Sequence, residues 1–183
     1  MVSKKPRAVA WSQVKQEVIK LDRLVLVQLI GDLYQASQSN QLFLSSRFGL
    51  GGDVLEPYKA IIDRWVCPDF ERNQDVSVGK ATRAVANYRK AVGDPGGIAE
   101  LSMYYCEACA DFLNMCGMED EDYFDAIVAT AGDALDAIDQ LPSHEQDDFI
   151  ARLEAVRWQS IDWGWGVSED IDQLMIEHGI DLE

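Results

Sequence analysis

Apolar residues recur at alternating three- and four-residue steps along almost the whole chain, and that period admits one class of structure. The cleanest run is Val78, Ala81, Val85, Tyr88 and Val92, which fall on one face of a helix turning every ~3.6 residues. Val14, Val18, Leu21 and Val25 repeat the pattern near the start, and Phe124, Val128, Ala131, Leu135 and Ile138 repeat it later. Phe149, Ile150, Leu153 and Val156 follow, then Ile171, Leu174 and Met175. No segment alternates apolar and polar residues as a half-buried strand requires. The expected fold is therefore all-α, with about eight or nine helices on short loops, as a bundle or a short stack of helical hairpins. A solenoid stays open, because 95–116 and 120–140 together match one repeat in length, yet their pattern has no second copy.

Punctuation residues divide the pattern. Asp22 can cap a segment from Leu24 to Ala36 that is apolar on most sides and so is expected to be central. Asn40 is read as the cap of a short helix ending at Phe48, with Gly49 as its left-handed stop. Cys67-Pro68 ends the helix carrying Tyr58, Ile61, Ile62 and Trp65. Asp94-Pro95 starts a helix that runs to about Met115. Ser143 with Gln146 reads as a capping box, and Ser168 as the cap of a terminal helix bearing His178.

At 183 residues the length predicts one domain: a basic tail over 1–11 and a single helical domain over 12–183. Charge divides that domain. Residues 1–93 hold 14 Lys and Arg against 9 Asp and Glu, a net of +5, whereas 94–183 hold 2 against 23, a net of −21. The expected domain is thus basic-leaning over 12–93 and strongly acidic over 94–183. Either the halves attract each other or the acidic half faces a basic partner. Phosphate binding by the acidic half has the wrong sign, so it is not expected to bind nucleic acid directly. Leu24 to Ile30 is too short to span a bilayer, and the N-terminus lacks the apolar core of a signal peptide. A soluble, cytoplasmic protein with no membrane association is expected.

Cys106-x-x-Cys109 has a metal or redox spacing, and Cys116 lies on the same helical face. However, Tyr105, Cys109, Phe112 and Cys116 also read as a buried stripe, Cys67 and both histidines are isolated, and no βαβ unit accompanies the pair. Core packing is the expectation, with no metal. Gly49-Leu-Gly-Gly52 follows a helix rather than a strand, and Gly79-Lys80 lacks the rest of a phosphate loop, so no cofactor is expected. Neither His144 nor His178 pairs in sequence with a nucleophile, so no catalytic residue is assigned.

Two features remain as candidate partner-binding elements. Asp122, Asp125, Asp136 and Asp139 face away from the Phe124 stripe, and with Asp133 they read as a solvated surface or as a docking face for a basic partner. Trp158, Trp163 and Trp165 place three of five tryptophans within eight residues, the last two among Gly164 and Gly166. They can seal the last helices against the core or form a partner or ligand surface. Lys80, Arg83, Asn87 and Lys90 make a basic helix face without the interleaved aromatics that base stacking needs.

Leu21-Asp-Arg-Leu-Val-Leu-Val-Gln-Leu-Ile-Gly-Asp-Leu-Tyr34 and Asn40-Gln-Leu-Phe-Leu-Ser-Ser-Arg-Phe48 resemble the opening of a family of small uncharacterised all-helical bacterial proteins. Tyr58-Lys-Ala-Ile-Ile-Asp63 and Gly164-Trp-Gly-Val167 are similar to the same domain of unknown function. The resemblance implies a helical bacterial domain and carries no catalytic assignment. The resulting expectation is a non-enzymatic protein-interaction domain that binds a protein partner, a basic one on grounds of charge, through its acidic C-terminal half and Trp/Gly segment. A nucleic-acid-mimicking decoy for a basic DNA- or RNA-binding protein is one alternative. A helical enzyme or ligand-binding protein with a Trp-lined pocket is the other.

Overall fold

The computed structural model describes residues 9–182, with the side chain of Phe70 outside the description. Most of the predicted basic tail, residues 1–8, lies outside the described residues. Among those described, the chain forms nine α-helices, one 3-10 turn and no strand, which is the expected class. The helices are α1 (Trp11–Val18), α2 (Arg23–Ala36), α3 (Gln38–Arg47), α4 (Glu56–Val66), α5 (Val78–Ala91), α6 (Pro95–Cys116), α7 (Glu121–Ile138), α8 (Ser143–Ser160) and α9 (Val167–Glu177). The chain divides into two compact units, 1–44 and 45–183.

In the first unit, the stripe from Val14 to Val25 is split between two helices. The Asp22 carboxylate accepts from the amides of Leu24 and Val25 at 2.8 and 3.0 Å, which starts α2 afresh. The second start differs from expectation. Ser37 Oγ accepts from the Asn40 amide at 3.2 Å, while Asn40 Nδ2 donates to the Leu33 carbonyl, so Asn40 lies inside α3 and Ser37 does the capping. α2 is also not central: it contains no buried residue, and Leu24 is 82% exposed. The three short helices of this unit are too little chain to enclose a helix that is apolar on most sides.

The second unit is organised around α6, which packs against α4, α5, α7 and α8, while α9 packs on α7 and α8. Pro95 occupies the first turn of α6, and the Asp94 carboxylate accepts from the Gly97 amide at 2.8 Å. Twelve of the helix's residues are buried, more than a one-sided stripe would allow, and this marks α6 as the core element. Gly97 lets α5 approach closely: a Cβ there would lie 2.0 Å from the Tyr88 Oη. Tyr88 in turn meets Tyr58 edge-on at 5.4 Å.

Two further caps differ from the sequence reading. Ser143 makes no capping bond, and Gln146 Nε2 instead donates to the carbonyls of Ile138 and Leu141, tying α8 to the end of α7. α9 begins after Gly166, so Ser168 lies within its first turn and its hydroxyl donates to Glu169. A neighbouring acceptor within reach defeats a cap signal that reads only local spacing.

Candidate functional site

Gly164, Trp165 and Gly166 form three consecutive residues with φ of 81°, 56° and 73°. Glycine takes this conformation freely, but a bulky side chain does so at a cost of ~1 kcal/mol or more. The strain buys no packing, because the Trp165 indole is 62% exposed, and Trp158, in the last turn of α8, is 59% exposed. Val167 and Ile171 fill the core beneath this turn instead. The tryptophans therefore do not act together as a seal.

Trp163 alone turns inward. Its Nε1 donates to Asn114 Oδ1 at 3.2 Å, and Asn114 Nδ2 donates to Gln159 Oε1 at 2.6 Å, so one asparagine on α6 ties the loop to α8. With Leu113, Gly117, Met118, Glu119, Phe124 and Asp162, Trp163 lines a hollow of about 170 Å³. That is smaller than the ~300 Å³ lower bound of typical small-molecule pockets, though it suits one side chain. Glu119 and Asp162 give its rim negative charge.

The five aspartates separate into two groups. Asp122 and Asp125 lie in the first turns of α7, flanking in sequence the Phe124 that borders the Trp163 hollow, and both are exposed. Asp136 lies fourteen residues beyond Asp122, ~21 Å along the helix axis. Asp133 pairs with Arg89 at 3.0 Å and Asp139 with His178 at 2.7 Å. Only the first group adjoins the tryptophan segment, while the second is partly consumed within the protein.

A second site escaped the sequence reading. Asp63 and Cys67 of α4, Tyr104, Glu107, Ala108 and Asp111 of α6, and Arg152, Ala155, Val156 and Gln159 of α8 line a groove of about 440 Å³. Arg152, on its lining, is held with Nε and Nη2 on the two oxygens of Glu107 at 2.7 and 2.8 Å and Nη1 on Glu100 at 2.6 Å. Hydrogen bonding to the Glu107 carboxylate raises the pKa of Arg152 despite burial. Lys59 completes the set, with Nζ 2.5 Å from Glu100 and 4.8 Å from the centre of the Tyr104 ring. Burial favours a neutral Glu100, but the hydrogen bonds from Lys59 and Arg152 outweigh it and hold the carboxyl below its ordinary 4.5. The Tyr104 hydroxyl donates to both Asp63 oxygens, at 2.9 and 2.8 Å. The available signal was the spacing of Glu100, Tyr104, Glu107 and Asp111, a polar stripe on an otherwise apolar helix.

The thiols follow the packing expectation in part. Cys106 and Cys109 are buried, whereas Cys116, placed on the same stripe in sequence, is exposed one residue before the helix stop. Burial drives the Cys109 thiol up to about 12. Burial, then Asp63 and Asp111, drive Cys67 to about 11, opposite to an activated nucleophile. Among the described residues, no group of three or more His, Cys, Asp or Glu is placed to hold a metal ion. No described helix is long and apolar enough to cross a membrane. On the basic face of α5, Lys80 stacks over Trp65 at 3.6 Å, with Arg64 over the same ring at 4.3 Å. Trp65 thereby engages Lys80, one of the cations of the basic helix face read from sequence.

Comparison with protein-family models, with curated proteins and with solved structures finds no match to this chain.

Proposed function

We propose that this chain is a non-catalytic protein-interaction domain whose contact surface is the Trp158–Trp165 segment with the acidic residues beside it, Glu119, Asp122, Asp125 and Asp162. The observation that carries the reading is Trp165, a large aromatic held in a strained left-handed turn and turned to solvent. Backbone strain that improves no packing marks a position kept for contact, and exposed tryptophan is the residue type most enriched at interface hot spots. The neighbouring carboxylates suit a partner segment with Lys or Arg beside an apolar residue. The −21 net charge over 94–183 would speed its approach and screen out acidic competitors.

The test compares the wild-type chain with Trp158→Ala, Trp165→Ala and Asp122→Asn/Asp125→Asn as baits for proteins of the native host, at low and high salt. One basic protein retained by the wild type, lost with Trp165→Ala and weakened by salt, is the expected result. Equal retention by the wild type and the tryptophan variants would overturn the proposal.

A further inference from the structure

From the α4–α6–α8 groove we infer a second site, independent of the tryptophan surface, that binds an aliphatic ammonium group. Three observations converge. The volume of about 440 Å³ falls within the ~300–1,000 Å³ of small-molecule sites, several times a water-sized void. The apolar part of the lining is made of short side chains, Ala108, Ala155 and Val156, which leave room for a polymethylene stem and remove little water from polar atoms when it enters. The charges around that lining are unequal in a directed way.

Glu100, Glu107, Lys59 and Arg152 form a closed set, two negative and two positive, bonded to one another. All three guanidinium nitrogens of Arg152 are engaged, so the one cation that could anchor an anion in the groove is already occupied. Asp63 and Asp111 are left over. Asp63 is held in orientation by the Tyr104 hydroxyl and keeps lone pairs on both oxygens. Asp111 is exposed, with no hydrogen bond or ion pair among the described residues. Both carboxylates act on the intervening Cys67 thiol, which they help to hold at about 11. A metal ion is disfavoured by the lack of a third ligand among the described residues, and an anion by charge. A primary ammonium needs neither: it donates three hydrogen bonds to scattered carboxylates, and its carbon stem covers the apolar lining.

The ammonium can come from a free polyamine or from a lysine side chain, and the two sources are separable. Spermidine, an N-acetylated lysine amide and glutarate are titrated into the whole chain by calorimetry, and amide shifts of Ala108, Ala155 and Val156 are followed by NMR. The expected result is saturable binding of one of the two amines, with shifts centred on those residues. Binding falls at least tenfold in Asp111→Asn and in Asp63→Asn, whose amide oxygen still accepts from Tyr104. Asp122→Asn/Asp125→Asn removes two charges elsewhere and changes binding less than twofold. Preference for spermidine assigns a polyamine, and preference for the lysine amide assigns a lysine side chain. Absence of saturation by either amine at millimolar concentration, equal loss in the α7 variant, or tighter binding of glutarate would each overturn the inference. Since Trp165→Ala leaves the groove intact, loss of the tryptophan contact and loss of amine binding are distinguishable.

Discussion

Replacing Gly97 and Gly132 by alanine, one at a time, separates two effects of the same substitution. Both glycines lie within helices, α6 and α7, where alanine is favoured by ~1 kcal/mol. At Gly132 the new Cβ would lie 3.6 Å from a Leu174 methyl, an ordinary contact, so the propensity gain is realised. At Gly97 it would lie 2.0, 2.5 and 2.7 Å from the Tyr88 Oη, Cζ and Cε1. The ring must retreat by more than 1 Å to reach a normal carbon separation of ~3.5 Å. It has little room, since Tyr88 is 4% exposed and its partner Tyr58 is 0% exposed. Overpacking of this kind costs ~1–3 kcal/mol, and disturbing the edge-on pair adds ~1 kcal/mol. Gly97→Ala should therefore destabilise by ~1–3 kcal/mol after the propensity gain, while Gly132→Ala stabilises by up to ~1 kcal/mol. Urea unfolding followed by circular dichroism at 222 nm measures both. Tyr88→Phe on the Gly97→Ala background should recover part of the loss, because it removes the nearest atom and leaves the next two. Equal midpoints for the two alanine variants would refute the close approach of α5 to α6.

Leu153, fully buried, and Leu24, 82% exposed, should also part company: Leu153→Ala costs ~2–5 kcal/mol, whereas Leu24→Ala stays within ~0.5 kcal/mol, by the same urea assay. Native-state labelling with a thiol reagent should find Cys116 fast and Cys106 and Cys109 protected until unfolding, given their burial; equal rates would contradict the packing of α6. Because the Glu100 carboxyl is held below its ordinary 4.5 in the folded chain, its contribution to stability is complete above that value and is lost as pH falls through the folded pKa. Urea midpoints taken from about pH 5 down through about pH 3 should therefore fall less steeply in Glu100→Gln than in the wild type, and parallel curves over that window would remove the ion-pair account of that shift.

Helix count and most boundaries were legible because each depended on neighbours in sequence: Asp94-Pro95, the Cys67-Pro68 stop and the Asp22 cap all act within one turn. The misplaced caps failed for a different reason. Ser143 and Ser168 have the right identity, but Gln146 finds carbonyls at the end of α7 and the start of α9 is fixed by Gly166, neither of which appears in a local pattern. The candidate site divides in the same way. The clustering of Trp158, Trp163 and Trp165 was readable in sequence, but that only Trp163 turns inward depends on Asn114, about fifty residues away. The groove was hidden because Asp63, Asp111 and Arg152 come from three helices whose register is set by the core. A reader of the stripe Glu100-x3-Tyr104-x2-Glu107 could have noticed that a long, largely apolar helix carried a charged line, and could have asked what neutralised it.

The charge asymmetry now has a structural counterpart. Arg152 and Arg157, the two basic residues of 94–183, are both engaged by acids of the same half: Arg152 by Glu100 and Glu107, Arg157 by Asp172. Lys59 and Arg89 reach across from the basic half, to Glu100 and Asp133. These pairs take up few of the 23 acids in 94–183, and partly exposed pairs are worth only ~0–1 kcal/mol each. Net repulsion should therefore dominate at low ionic strength. Raising salt from about 10 mM to about 100 mM shortens the screening length from ~30 Å to ~10 Å, so the melting temperature should rise. A fall would mean that attraction within the pairs outweighs repulsion over the surface. The same titration weakens any complex with a basic partner, so stability and binding should move in opposite directions with salt, and a complex lost at high salt is lost by dissociation rather than by unfolding of this chain.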